Sequence, residues 1–111
     1  MMRLFFGIVA TLMSTAAVAG SADVGSVAAI LPMTTSSSLF FFNQSGTRYS
    51  PPGCASLSVR WVIPTNSPAG QSAAALVMLA YSMRKRVWVS GTGACSLWGD
   101  TETVNWVTVE D

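Results

Sequence analysis

Two cysteines, two neighbouring carboxylates and four tryptophans are the side chains of this sequence with chemistry to offer. Closing the roughly 40 residues between Cys54 and Cys95 as a disulfide would stabilise a small domain by about 4 kcal/mol. No Cys-x-x-Cys is present to support a redox pair, which leaves buried thiols as the other reading. Asp100 and Glu102 stand two apart. They have the makings of an acid/base pair or a calcium ligand set, but a turn aspartate and a solvated glutamate at a strand edge account for them equally. The chain has no histidine. That removes the usual general base, the Ser-His and Cys-His nucleophile systems and the commonest transition-metal ligand. A conventional enzyme is therefore not expected, and neither a metal nor a cofactor is expected.

Gly91-Thr92-Gly93 is too short for a phosphate cradle and lacks a following Lys-Ser/Thr, so it reads as a tight hairpin turn. Arg84-Lys85-Arg86 is shorter than a phosphate- or headgroup-binding patch and reads as a solvated helix end. Asn43-Gln44-Ser45 matches the short glycosylation acceptor pattern. The tryptophans are more suggestive: Trp61, Trp88, Trp98 and Trp106 are many for a small domain. Flat exposed rings stack on sugar faces or anchor protein interfaces. Trp98 adjoins Gly99-Asp100, where a ring beside a carboxylate makes a sugar-binding corner. Trp88 alternates with Val87 and Val89 and so opposes them across a strand. Trp98, Asp100 and Trp88 are the expected ligand-binding residues.

The elements that must position these residues follow an N-terminal segment with its own signature. Arg3 precedes an apolar run, Leu4 to Met13, and small residues Ala17-Val18-Ala19 close it, the layout of an export signal. Residues 1–19 read as a signal peptide and 20–111 as one domain. Beyond the leader, Arg48, Arg60, Arg84, Lys85 and Arg86 balance Asp23, Asp100, Glu102, Glu110 and Asp111. No global field favours nucleic acid, and no later apolar run is long enough to span a membrane. The destination is periplasmic or secreted, where a disulfide persists.

Val24 to Leu31 reads as a strand ended by Pro32, and Thr34-Thr35-Ser36-Ser37 as a turn. Leu39-Phe40-Phe41-Phe42 reads as a strand buried on both faces. Asn43 to Gly53 reads as a loop. Ser56 to Ile63 alternates as a half-buried strand with Leu57, Val59, Trp61 and Ile63 on one face. Ser67 suits an N-cap and Pro68 the first helical position. The helix runs to about Arg84, with an apolar stripe of Ala73, Leu76, Val77, Ala80 and Met83 and with Arg84-Lys85-Arg86 in its last turn. Val87 to Ser90 and Glu102 to Val109 complete the strands.

Pro52-Gly53-Cys54, Arg60-Trp61-Val62-Ile63, the helix Pro68-Ala69-Gly70-Gln71 to Tyr81-Ser82, and the run VWVSGTGACSLWGDTETVNWVTV (Val87 to Val109) resemble a group of small exported bacterial proteins. That group shares a GTG-x-C turn and a WGDTE stretch before the last strand. The order of elements and the placement of the cysteines also resemble the B subunits of subtilase-cytotoxin and pertussis-like AB5 toxins. Those are disulfide-bonded OB-type barrels that form pentamers and bind host glycans. The resemblance implies an α+β fold: a small OB-like antiparallel β-barrel of five or six strands with one central helix and one disulfide. It implies a glycan-binding, homo-oligomeric module, with no toxin A-subunit partner evident in this chain. The alternative is a structural or accessory envelope protein acting through protein–protein contacts, and a third reading is a hydrolase using Asp100 and Glu102.

Overall fold

The computed structural model describes residues 19–34 and 38–110. All of the expected leader but Ala19, and Thr35 to Ser37 of the Ser/Thr turn, lie outside the described residues. No helix among the described residues is long and apolar enough to cross a membrane.

The elements are β1 (Ser21–Met33), β2 (Leu39–Gln44), β3 (Arg48–Tyr49), β4 (Arg60–Pro64), α1 (Pro68–Met83), β5 (Arg86–Gly91) and β6 (Glu102–Glu110). The sheet order is β2-β4-β6-β5-β1-β3, and β2 pairs with β1 as well. From β1 the ladder therefore passes through β2, β4, β6 and β5 and returns to β1. The expected all-antiparallel sheet is corrected: β4 and β6 run parallel, with Trp61 opposite Glu102 and Val62 opposite Thr103. Between them lie α1 and β5, the long crossover that a parallel pairing requires.

β1 has three neighbours: β3 pairs with its start at Ser21 and Ala22, and it serves β5 and β2 by bending. Its register shifts between Ala22 and Gly25 and again between Ala28 and Ile30, where Ala29 has φ 50°. Such bulges bend a strand and increase its twist. Ser21 to Ser26 accordingly pair with β5, and Val27 to Met33 with β2. The strand does not stop at Pro32, which still sits opposite Phe40. A missing N–H is tolerated near a strand end. Buried Gln44 supports the first bend: its Nε2 donates to the carbonyls of Asp23 and Val87, and its Oε1 accepts from Gly46 N at 3.0 Å.

The helix begins as its sequence indicates. Ser67 Oγ accepts from Gly70 N at 3.2 Å, and Pro68 opens the first turn. It ends at Arg84, whose φ of 54° is left-handed, so Arg84 is the C-cap, Lys85 the connector and Arg86 the first residue of β5. The expected trio of cations in the last turn is thus corrected. The buried face is also narrower than the expected stripe: Gly70, Ala74, Val77 and Ala80 are buried, while Met83 is exposed. Small residues let the backbone come close. A Cβ on Gly70 would stand 1.6 Å from the carbonyl oxygen of Pro64, so only glycine fits there.

That face packs on Phe40, Phe42, Trp61, Ile63, Val87, Val89 and Val104 in the main core. A fully buried valine such as Val77 contributes about 1.5–3 kcal/mol. Leu39, Phe41 and Val62 form a second cluster with Met33 against it. β2 is therefore buried on both faces, as its aromatic run suggests.

Two expectations fail near the disulfide, which joins Cys54 to Cys95 across a sequence separation of 41. β4 starts at Arg60, not Ser56, and Leu57 and Val59 are exposed. The preceding residues turn instead, with Ser56 N donating to Cys54 O and Arg60 N to Leu57 O. Nor does Gly91-Thr92-Gly93 close a tight hairpin. Gly91 ends β5, and the connection to β6 runs from Thr92 to Thr101, held by Thr103 N donating to Ala94 O at 3.0 Å.

Candidate functional site

The β5–β6 connection carries two of the three expected ligand residues and sets them on the outer face of β2 and β4. Trp98 and Thr101 form an isolated bridge, with Thr101 N donating to Trp98 O at 3.1 Å. The Trp98 ring meets buried Phe41 edge-on, with centroids 5.3 Å apart and planes at 82°. Its position is fixed by that contact, yet it remains 38% exposed. Beside it, Asp100 Oδ1 accepts from Arg60 Nη2 at 2.6 Å and from Thr101 Oγ1 at 2.8 Å. Arg60 in turn holds Thr101 Oγ1 through Nε at 2.9 Å and lies 5.1 Å from the Phe41 centroid.

The Thr101 hydroxyl, with help from the Arg60 guanidinium, holds the Asp100 carboxyl below its usual range against a smaller opposing effect of burial. The group is a carboxylate, and its side chain is 43% exposed. An exposed ion pair of this kind adds little stability; its effect is to orient the carboxylate beside the ring. Both side-chain bonds fall on Oδ1, and the Asp100 backbone N–H adds a weaker one to the carboxylate.

Trp88 sits on a different part of the surface. It lies on β5 with Val87 and Val89 buried on either side of it, and its ring meets Trp106 of β6 edge-on at 4.9 Å. Both rings are 40% exposed. Trp106 reaches that face because β6 shifts register, with Ser90 opposite Trp106 and Gly91 opposite Val104. Asn105 is the extra residue.

Glu102 is not the solvated edge residue expected. It is fully buried, and every donor it meets comes from a different segment. Oε1 accepts from Arg48 Nη2 at 2.6 Å; Oε2 accepts from Gly20 N at 3.0 Å and Gly93 N at 2.9 Å. The Arg48 guanidinium stacks 3.8 Å from the Trp61 centroid, and a further nitrogen donates to Ser58 O. Arg48 Nε and Trp61 Nε1 are buried here without a hydrogen-bond partner among the described residues. Asp100 and Glu102, neighbours in sequence, therefore serve separate networks. Among the described residues no three acidic or cysteine side chains gather as a cation site. Asn43 is half-buried in β2 beside buried Gln44.

Reading the sequence alone misses Arg60, Phe41 and Thr101 as supports of the corner, and Arg48 altogether. Arg60 carried a faint signal, since its alternation put it opposite Trp61. Arg48 lies in a segment read as loop, with nothing in its neighbours to mark it. No protein-family model matches the chain, and no curated protein or solved structure matches it significantly.

Proposed function

We propose that this chain is an exported, non-enzymatic binding module whose Trp98–Asp100 corner takes a glycan. One observation carries the reading: an indole braced by Phe41 and left open to solvent stands next to a carboxylate that is charged and oriented. A sugar offers the complementary pair, an apolar ring face for stacking and hydroxyls that donate to Asp100. The circuit of strands from β1 back to β1, with a long bent first strand and a helix between β4 and β5, supports assignment as an OB-type barrel. The apolar run before Gly20 and the disulfide support delivery to the periplasm or beyond. Assembly into a pentamer follows the same analogy with toxin B subunits.

Glycan-array binding tests the corner. Trp98→Ala, with its fold verified by circular dichroism, is expected to weaken binding about thirtyfold, the loss that follows removal of an aromatic anchor worth about 2 kcal/mol. Because the Asp100 pKa is lowered, its carboxylate persists further into acid than that of an ordinary aspartate. Binding that uses it is expected to hold as pH falls through 5 and to fade only in stronger acid. Unchanged affinity in Trp98→Ala would reject the corner.

A second reading, an accessory envelope protein acting through protein contacts, is favoured by the exposed Trp88–Trp106 pair and by Met78, Leu79, Tyr81 and Met83 on the helix. Light scattering on the processed protein separates the two. A pentamer supports the first, and a monomer captured by a single envelope partner supports the second.

A further inference from the structure

Gly20 is the residue immediately after the expected leader, and it is docked on the buried carboxylate through its backbone nitrogen. Its carbonyl is held too, accepting from Gly91 N at 2.8 Å. A Cβ here would lie 2.2 Å from Glu102 Oε1, so any larger residue would have to displace the carboxylate. Ala19, one position earlier, is exposed. The Ala17-Val18-Ala19 cleavage pattern therefore ends where the chain passes from the surface into the Glu102 network.

We propose that processing after Ala19 completes that network by creating a buried ion pair between the Gly20 ammonium and Glu102. The inference rests on the export reading given above. A leader-cleaving peptidase would add water across the Ala19–Gly20 amide, leaving a carboxylate on Ala19 and an amine on Gly20. That amine takes up a proton at neutral pH, since α-amino groups titrate near pH 7.7–8.0. A neutral N–H donor to Oε2 becomes a charged one, and charge-assisted bonds are about twice as strong as neutral ones. One ammonium hydrogen faces Glu102, and a second takes the direction of the broken bond to exposed Ala19. Glu102 is then clamped between two cations, Arg48 on Oε1 and the chain's new terminus on Oε2. Until the leader is removed, the fold lacks one of its charges.

The test uses the protein processed by the exporting cell. Intact mass is expected to show a chain that begins at Gly20. A companion chain with one serine inserted between Ala19 and Gly20, cleaved at the same place, moves the amine about 3.8 Å along the backbone. Its melting temperature is expected to fall by about 4–8 °C, the shift that a single interaction of this strength produces in a domain of this size. In a Glu102→Gln background the same insertion is expected to change nothing. An insertion without effect in the parent, or an equal fall in both backgrounds, overturns the proposal.

Should Glu102→Gln not accumulate, acylation of the α-amine at neutral pH gives a separate readout. It is expected to run at least tenfold slower in the folded protein than in urea, and equal rates overturn the proposal. A processed chain beginning elsewhere also overturns it while leaving export intact. A chain that keeps its leader overturns both.

Discussion

Replacing Glu102 by glutamine is expected to lower the unfolding free energy by about 3–5 kcal/mol, the cost of leaving a buried charge without its partner. The charge left behind is Arg48, whose side chain is 8% exposed and stacked on fully buried Trp61. Glutamine is close in shape but wrong in valence. Three donors converge on the two oxygens of Glu102, from Arg48, Gly20 and Gly93. An amide supplies one acceptor, so its NH₂ must face either the guanidinium or the two backbone N–H groups. Domains of this size are stable by only about 5–13 kcal/mol, so such a loss would leave a visible unfolded fraction at physiological temperature. Urea unfolding followed by tryptophan fluorescence gives the value. A change under 1 kcal/mol would mean that the buried pair contributes far less than its burial implies.

The second large effect is expected from Cys54→Ser combined with Cys95→Ser. The loop of 41 residues that the bond closes corresponds to about 4 kcal/mol of lost conformational freedom in the unfolded chain. Little of that cost lies in the folded state, because Cys54 is exposed and Cys95 only half-buried. The denaturation midpoint should therefore fall while the slope rises, as the unlinked unfolded chain exposes more surface. The bond also pins the connection that carries Trp98 and Asp100. Reduction of the parent protein under native conditions is thus expected to weaken the proposed glycan binding before the tryptophan core opens. A midpoint that barely moves would sink the entropic account, and binding that survives reduction would show that Phe41 and Arg60 hold the corner unaided.

How far the residues themselves foretell this structure depends on whether their instructions are local. Ser67-Pro68 marks the start of α1 because capping is settled within one turn. Leu39 to Phe42 marks a doubly buried strand because no polar residue interrupts it. Distant partners leave no such mark. Ser56 to Val59 alternates like a strand, yet the disulfide and the bond from Leu57 N to Asp100 O hold it in turns. Arg84 takes a left-handed C-cap more often given to glycine, so the helix end misplaces the basic trio. In β6, strict alternation groups Glu102, Val104, Trp106 and Thr108. The extra residue at Asn105 turns Trp106 outward and leaves Glu102 and Val104 inside. Trp98, Gly99 and Asp100 are adjacent in the chain, so their proximity needs no long-range fold. Their scaffold of Phe41 and Arg60 came from strands dozens of residues away.

The position of β6 has a consequence for how the molecule is assembled in time. It is the last strand in chain order, yet it lies between β4 and β5 and contacts both. A nascent chain synthesised as far as β5 has a gap in the middle of its ladder and lacks the carboxylate that organises Arg48. Pairings so far apart in sequence form slowly, because loop closure precedes any reward. The circuit of strands therefore closes only once β6 has been made.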